Sequence, residues 1–237
     1  MAPGGAGDAT PNAARDGRVS RMPGVFPKWT NQLPLNIAAG LAIAGAAVAA
    51  GLGYYFTPKY TRVGYQPIQP VPYSHATHVE QLGMDCRYCH AGVERSWFAG
   101  LPDASRCMNC HHQVLAGDPR LAPVRDSMQT GAPVAWIQIH RTPDYVYFHH
   151  AAHIRRGVSC LHCHGRVDQF EEVRHDQPLS MSFCLECHRR PEAYLRPLDQ
   201  VYNLGWNTDP ARQNEQGRLL ALTGDMRPPL SCSGCHR

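Results

Sequence analysis

The sequence predicts a mostly α-helical and irregular fold, in which one long N-terminal helix precedes a domain of short helices and loops. Three observations predict this class. A single uncharged apolar run occupies residues 35–56, and all ten cysteines recur in one short pattern from Cys86 onward. The 237 residues also include 21 Gly and 20 Pro, which interrupt long regular elements. A chain of this length suits one or two domains.

The apolar run, LNIAAGLAIAGAAVAAGLGYYF at residues 35–56, predicts a transmembrane helix. A helix rises ~1.5 Å per residue, so this length can cross the ~30 Å hydrocarbon layer of a bilayer. A cleaved signal peptide is the alternative, but its apolar core usually spans only ~7–15 residues, which favours an uncleaved anchor. Basic residues before the run favour a cytoplasmic N-terminus, although Lys59 and Arg62 behind it weaken this contrast.

The segments on either side of this helix differ in composition. Residues 1–34 contain little apolar material, and we expect a cytoplasmic, largely disordered tail there. Residues 57–72, TPKYTRVGYQPIQPVP, form a Pro-rich connector that should be extended rather than helical. Residues 73–237 should form the second domain, in which we expect short helical turns at the cysteine motifs and one helix at residues 118–129.

An internal repeat lies within this second domain. YSHATHVEQLGMDCRYCH at residues 73–90 aligns with FHHAAHIRRGVSCLHCH at residues 148–164. Both segments read aromatic-x-His-x-x-His and end in Cys-x-x-Cys-His. Each is followed by a further Cys-x-x-Cys-His, and a fifth copy closes the chain.

Every cysteine belongs to one of these five motifs, which together contain Cys86, Cys89, His90, Cys107, Cys110, His111, Cys160, Cys163, His164, Cys184, Cys187, His188, Cys232, Cys235 and His236. Cys-x-x-Cys-His is the attachment signature of c-type haem. Residues three and four apart share one face of a helical turn, so both thiols can reach one porphyrin while the histidine lies under its iron. Zinc ribbons, iron–sulfur sites and thioredoxin-like pairs do not require that histidine. We therefore expect five covalently bound haems c.

Five irons need ligands on their far sides as well. The matching positions of the repeat supply His75, His78, His150 and His153, and His140 lies just upstream of the second unit. Histidines at i and i+3 are neighbours on one face and can reach two adjacent irons. Met181 is a further candidate, because its thioether can ligate iron. The alternative is that Met181 packs as an apolar core residue. We expect surface positions for His149 and His162, and His112 and His175 are weaker candidates.

The chain resembles the pentahaem cytochrome subunit of alternative complex III. The resemblance depends on the anchor, the five motifs, the YSHATH and FHHAAH units, the IHRTPDYVYFHHAAH run and LSMSFCLECHR. It covers the apolar helix and roughly residues 72–237. It implies distal ligation by the two repeat histidine pairs, by His140 and by Met181, which is six candidates for five irons.

The resemblance also implies a place in a membrane assembly. Its expected partners are an integral-membrane quinol-binding subunit, an iron–sulfur subunit and a monohaem cytochrome. Covalent haem attachment occurs outside the cytoplasm, so the haem domain should lie on the periplasmic face of a bacterial inner membrane. With a formal charge of only +4 and no basic stripe, the chain is not expected to bind nucleic acid.

Three functions compete on the sequence. In the first, the chain relays electrons within a quinol-oxidising complex to a cytochrome c or a terminal oxidase and has no substrate site of its own. In the second, it is a stand-alone membrane quinol dehydrogenase that supplies a periplasmic reductase. In the third, it is a self-contained multihaem reductase, which needs an open iron and is often marked by a CxxCK motif. All five motifs here end in histidine, which favours the relay.

Overall fold

The computed structural model of this protein describes residues 24–56, 62–206 and 209–236. The chain divides into two compact units, Met1–Leu52 and Gly53–Arg237. Most of the predicted N-terminal tail lies outside the described residues, and so do the first five residues of the predicted connector. The described part of the connector, residues 62–72, contains turns and extended backbone but no helix.

The N-terminal segment is helical over almost all of its described length. A 3₁₀ turn, Lys28–Gln32, leads into helix α1, Leu33–Phe56, which begins two residues before the apolar run. No residue of α1 is buried, and side chains such as Leu41 and Ile43 are about 70% exposed. A helix that is apolar on every side needs an apolar surrounding, and residues 28–56 are long and apolar enough to cross a membrane.

The second unit consists of short helices joined by loops, and its described residues form no β-strand. Val146 with His236 and Val158 with Leu195 make isolated antiparallel bridges. The helices are α2, Cys86–Cys89; α3, Ala104–His111; α4, Ala122–Thr130; α5, His150–Ile154; α6, Leu161–His164; α7, Met181–Arg189; and α8, Pro210–Thr223. Single turns lie at Ala76–Gln81, which is a π-turn, and at Pro119–Leu121, Val167–Gln169, Pro191–Ala193, Leu198–Gln200 and Cys232–Gly234.

Side-chain caps fix where several of these helices begin. The carboxylates of Asp85, Asp103 and Asp209 accept hydrogen bonds from backbone N–H groups in the first turns of α2, α3 and α8. The Ser180 hydroxyl does the same for α7. Such a cap satisfies a donor that the helix itself leaves unpaired, and it typically stabilises a helix by ~1 kcal/mol. Three of these caps, Asp85, Asp103 and Ser180, begin helices that contain motif cysteines, so they also set where those cysteines lie.

The apolar core of this unit is small for its length. A compact cluster contains Val93, Ile154 and Val201, with Tyr202 packed against it. In the described residues only ten apolar side chains are buried: Val71, Ala76, Val93, Val124, Ala151, Ile154, Phe170, Leu195, Val201 and Leu204. A domain with so little buried apolar area needs another source of stability, such as disulfides or bound groups. None of the ten cysteines, all of which lie within the described residues, forms a disulfide.

Sequence expectations and structure agree at α4 but differ near the C-terminus. The predicted helix at residues 118–129 appears as the 3₁₀ turn Pro119–Leu121 followed by α4. Helix α8 was not predicted, because Gly217 interrupts its pattern of good helix formers. Gly217 is buried against Glu192, and a β-carbon there would overlap the backbone of that residue. The glycine therefore allows α8 to pack closely on the turn Pro191–Ala193.

Candidate haem-binding sites

Each Cys-x-x-Cys-His motif forms one helical turn. In the first, third and fifth motifs the histidine N–H donates to the carbonyl of the first cysteine, at 2.8 Å for His90, 2.9 Å for His164 and 2.8 Å for His236. The second and fourth motifs lie within α3 and α7. Two thiols and an imidazole on one turn are the arrangement that c-type haem attachment requires. All five motifs therefore form the short helical turns that their spacing predicts, and haem attachment at each of them stays a prediction.

One large cavity joins the five motifs. Its volume is about 3460 Å³, and its lining includes every motif cysteine and histidine. One fifth of that volume is about 690 Å³ for each motif, within the ~300–1,000 Å³ of a typical small-molecule site. The lining is mainly apolar, as a porphyrin face requires. Many apolar side chains that are not buried in the small core therefore line this cavity instead.

Across the cavity, four motif histidines each face a second histidine. His90 faces His75 with ring centroids 6.4 Å apart, and His111 faces His78 at 6.1 Å. His164 faces His150 at 6.4 Å. His188 faces His153 at 6.2 Å. The two histidines of the first repeat therefore face the first and second motifs, and the two histidines of the second repeat face the third and fourth motifs.

These separations fit two imidazoles on one metal ion. Imidazole nitrogen lies ~2.0–2.1 Å from a bound metal, and the ring centroid about 1.1 Å behind the nitrogen, so two axial rings should have centroids ~6.3 Å apart. The four observed separations lie between 6.1 and 6.4 Å. The residues therefore fit a six-coordinate haem at each of four motifs, and iron ligation by these pairs stays a prediction.

Hydrogen bonds at the other ring nitrogen orient most of these histidines. Among the motif histidines, Nδ1 of His90 lies 2.7 Å from the Gly100 carbonyl and Nδ1 of His188 lies 2.8 Å from that of Pro229. His111 makes the same contact with the Val114 carbonyl at 2.9 Å. Since a carbonyl only accepts, each Nδ1 carries the proton and each Nε2 keeps the lone pair that a metal needs.

The facing histidines follow the same rule. Nδ1 lies 2.7 Å from the Ser74 carbonyl in His78, 2.8 Å from the Trp97 carbonyl in His150 and 2.9 Å from the His149 carbonyl in His153. His75 differs, because its Nδ1 is buried and has no hydrogen-bond partner within residues 24–56, 62–206 and 209–236. Three of the four facing rings are thus fixed with Nε2 directed away from the backbone.

The aromatic residue of each repeat explains how two histidines on one turn are held apart. Tyr73 lies edge-on to His75 at 4.8 Å and stacks on His78 at 4.5 Å. Phe148 repeats this with His150 at 4.8 Å and His153 at 4.7 Å. The pattern aromatic-x-His-x-x-His therefore places one ring between two imidazoles, so that each imidazole is directed at a different motif.

Burial favours the neutral form of three of these imidazoles, those of His75, His150 and His153, and neutral imidazole is the form that binds metal. Burial, followed by the neighbouring His90 and His78, lowers the pKa of His75 to about 4. Burial is also the main cause that lowers the pKa values of His150 and His153, although the carbonyls of Trp97 and His149 act in the opposite direction.

The fifth motif has a different environment. The ring that faces His236 is Tyr145, at 5.7 Å, and the Tyr147 N–H donates to the Cys235 carbonyl at 2.7 Å. In the described part of the chain no imidazole pairs with His236. Met181 begins α7, lines the common cavity and is 67% exposed. Ligation of iron by Met181 stays a prediction.

Three of the other histidines, His149, His112 and His162, have local hydrogen-bond partners that account for their positions. His149 is exposed and caps α5, since its ring accepts the Ala152 N–H. His112 is exposed and bonds the Met108 carbonyl at 2.9 Å. The expectation of an exposed His162 is wrong, because its ring is partly buried and lies 3.0 Å from the Tyr194 carbonyl. His175, a weak sequence candidate, is fully buried.

His140, a predicted distal ligand, does not face a motif histidine across an iron-sized gap. Its Nε2 lies 3.3 Å from Nδ1 of His164, and the two ring centroids are 4.3 Å apart. That spacing is too short for a metal between the rings. No local pattern predicts this contact, because it joins residues 24 positions apart.

Comparison with known proteins identifies the family. No protein-family model matches the chain. The chain is 32% identical over 193 residues to the multihaem cytochrome c subunit of menaquinone reductase from Nitratidesulfovibrio vulgaris (strain Hildenborough), and the match covers 81% of this chain and 78% of that subunit. The chain belongs to the multihaem cytochrome c family. Covalent c-type haem binding and electron transport follow from that membership together with the cysteine pattern.

The thiols of this cytochrome show which motifs are neighbours. Burial raises the pKa of Cys107, and Cys89 raises it further, which makes the first and second motifs neighbours. Burial and then Cys86 raise the pKa of Cys160 to about 12, which makes the first and third neighbours.

The later motifs continue this series. Burial and then Cys184 raise the pKa of Cys163 to about 12, so the third motif adjoins the fourth. Burial raises the pKa of Cys184, and Cys235 of the fifth motif raises it further. Direct contacts agree with this series. Neighbouring histidines of one turn face the first and second motifs, and those of α5 face the third and fourth. Cys160 packs on the cluster that contains Val93, and the His188 ring bonds the Pro229 carbonyl, so the order is second, first, third, fourth, fifth.

The described residues of this cytochrome contain no group of three or more His, Cys, Asp or Glu side chains placed to hold a bare metal ion. Zinc ribbons and iron–sulfur clusters need three or four such ligands around one centre. The cysteines of each motif instead lie beside one histidine and a large apolar space. The donor arrangement fits covalent haem better than either alternative.

Proposed function

We propose that this cytochrome is the electron-relay subunit of a membrane quinol oxidoreductase similar to alternative complex III. Five covalent haems c would carry electrons from quinol-side partners to a cytochrome c or a terminal oxidase. The observation that supports this most is the set of four facing imidazole pairs around one cavity that all five motifs line.

The proposed ligands would leave four irons without an open position. When bound, each haem supplies an iron that alternates between the ferric and ferrous states and so accepts and donates one electron. His75, His78, His150 and His153 would each hold an iron together with the motif histidine that it faces. Irons with two protein ligands carry electrons rather than bind a substrate, which argues against a self-contained reductase.

The positions of the motifs support a relay. Neighbouring motifs would form a series from the second motif at one end to the fifth at the other. The π-turn Ala76–Gln81 with its preceding His75 would serve the first two motifs, and α5 would serve the third and fourth. Apolar cavity walls would exclude water from the iron ligands.

The fifth motif is proposed to take Met181 as its distal ligand. Met181 lies one helical turn before Cys184, and Cys184 is close enough to Cys235 for that thiol to raise its pKa. The four other motif histidines already face imidazoles. A thioether ligand raises a haem potential relative to two imidazoles, so the haem at this end would be the strongest oxidant of the series.

We infer that α1 anchors the subunit in a bacterial inner membrane, with the haem domain on the periplasmic side. The exposed apolar surface of α1 supports insertion, and covalent haem attachment outside the cytoplasm supports the orientation. The proposed partners are an integral-membrane quinol-binding subunit, an iron–sulfur subunit and a monohaem cytochrome.

The relative's name favours a second candidate, in which electrons flow in the opposite direction. That relative is a subunit of a menaquinone reductase, so the homologous chain here would deliver electrons from a periplasmic donor to membrane quinone. The same order of motifs would serve either direction. The stand-alone quinol dehydrogenase is weaker, because the relative is itself one subunit of a larger enzyme.

Purification in mild detergent tests these candidates. We expect the chain to co-purify with an integral-membrane protein, and pyridine haemochrome analysis to give five haems per chain. A quinol should reduce the haems of the purified assembly, and a quinone-site inhibitor should prevent it. Haem reduction only by a soluble donor, followed by quinone reduction, would support the second candidate. A haem ratio well below five would contradict the relay itself.

A further inference from the structure

The histidine of the third motif has a different hydrogen-bond partner at Nδ1 from the histidines of three other motifs. In His90, His111 and His188, Nδ1 meets a backbone carbonyl at 2.7–2.9 Å. In His164, Nδ1 instead meets Nε2 of His140 at 3.3 Å. An imidazole nitrogen at that distance is a weaker acceptor than a carbonyl oxygen at 2.8 Å.

The proposed ligation of iron by His164 determines which nitrogen of this pair carries the proton. A metal binds the lone pair of Nε2, so the proton of the His164 ring would lie on Nδ1, the nitrogen that faces His140 at 3.3 Å. Nε2 of His140 would therefore accept the Nδ1 proton of His164.

A rigid support holds His140 in place. Its ring stacks on His175 with centroids 5.2 Å apart and 28° between planes. His175 is 1% exposed, its N–H donates to the Tyr65 carbonyl at 2.9 Å, and its carbonyl accepts the Gly64 N–H at 2.8 Å. Neither ring nitrogen of His175 has a hydrogen-bond partner within the described ranges, so the ring contacts His140 by stacking alone.

We propose that His140 is a positioning residue for the third haem, which orients the His164 imidazole and sets its electron donation to iron. A strong acceptor at Nδ1 makes an axial imidazole more basic and lowers the potential of its iron, whereas a weak acceptor does so less. The long bond to His140 therefore gives the third haem a higher potential than a carbonyl at 2.8 Å would give it. The third motif lies at the middle of the spatial order, between the first and the fourth.

This inference depends on the proposed haem at Cys160 and Cys163 and replaces the sequence expectation that His140 is itself an iron ligand. The two roles predict different spectra. Loss of an iron ligand changes the spin state of a haem. Loss of the acceptor at Nδ1 of His164 leaves the iron ligands in place, so it shifts only the reduction potential of that haem and the anisotropy of its low-spin EPR signal.

The test uses His140→Phe in the full-length protein, purified in its complex and titrated by EPR-monitored potentiometry. Phenylalanine keeps the stack on His175 but removes the acceptor. We expect one haem potential to rise, the number of low-spin haems to stay constant, and His140→Gln to restore the potential in part. His112→Phe, at an exposed histidine away from the cavity lining, is the control and should leave every potential unchanged.

Two outcomes would overturn the inference. A new high-spin haem in His140→Phe would mean that His140 ligates iron, and unchanged potentials would mean that its contact with His164 has no effect on the haem. Mass spectrometry of the wild-type chain separates these outcomes from a failure of the proposed function, because a chain without five haem additions contradicts the relay before any variant is made.

Discussion

Replacing Gly157 by alanine should destabilise the haem domain more than the same change at Gly83. The two glycines occupy the same place in the repeat, three residues before the first cysteine of a motif. Both have left-handed backbones, with φ of +86° at Gly157 and +67° at Gly83. An added β-carbon at Gly83 meets nothing within 4 Å, whereas at Gly157 it would overlap the Arg196 carbonyl oxygen.

The expected magnitudes follow from these two environments. A left-handed backbone costs an L-residue other than glycine about 1–2 kcal/mol, and both variants should lose that amount. Overpacking against fixed backbone adds about 1–3 kcal/mol, at Gly157 alone. The Arg196 carbonyl cannot easily retreat, because the Arg196 N–H donates to the Gly157 carbonyl at 2.8 Å. We therefore expect losses of about 1–2 kcal/mol for Gly83→Ala and about 2–5 kcal/mol for Gly157→Ala.

Guanidinium unfolding of the detergent-solubilised holoprotein, monitored by the Soret band and by intrinsic fluorescence, measures both values. Gly157 lies between His153 and Cys160, so its variant should also broaden the low-spin EPR signals of the third and fourth haems. Equal losses in the two variants, or a larger loss at Gly83, would refute the argument from the Arg196 contact.

Three further predictions concern ligands and packing. His150→Ala should convert one low-spin haem to a high-spin haem in EPR spectra. His149→Ala removes only the exposed cap of α5 and should leave the spin states unchanged. Unchanged spectra in His150→Ala would contradict the proposed pair of His150 with His164. Met181→Leu should abolish a near-infrared band of methionine-ligated haem in magnetic circular dichroism, and a band that persists would exclude Met181 as a ligand. Tyr202→Phe removes a 2.8 Å hydrogen bond to Glu94 and should lower the free energy of unfolding by about 1 kcal/mol in guanidinium titration; an unchanged value would show that water replaces the bond.

Local signals in the sequence predicted the elements that depend on adjacent residues. The apolar run predicted α1, and the spacing of each motif predicted its helical turn. The His-x-x-His spacing also placed two imidazoles on one turn, as the structure has them at His150 and His153. Ligation by those imidazoles stays a prediction, although their distances to the motif histidines fit it.

Contacts between distant segments could not be predicted from one sequence. Nothing local indicates that His78 faces His111 while His75 faces His90, since that depends on how the π-turn lies across the cavity. The contact of His140 with His164 was missed for the same reason. Helix α8 was missed because its glycine, unfavourable within an isolated helix, is stabilised by close packing on Glu192.

The brevity of α5 has a consequence for how the domain opens. With only five residues, this helix has no interior that could persist while one end frays, so it forms and melts as a single turn. If His150 and His153 bind iron as proposed, both would then leave their irons in the same event. The irons of the third and fourth haems should therefore become accessible to an external ligand such as carbon monoxide at the same time. Binding of carbon monoxide to one of these haems should favour its binding to the other.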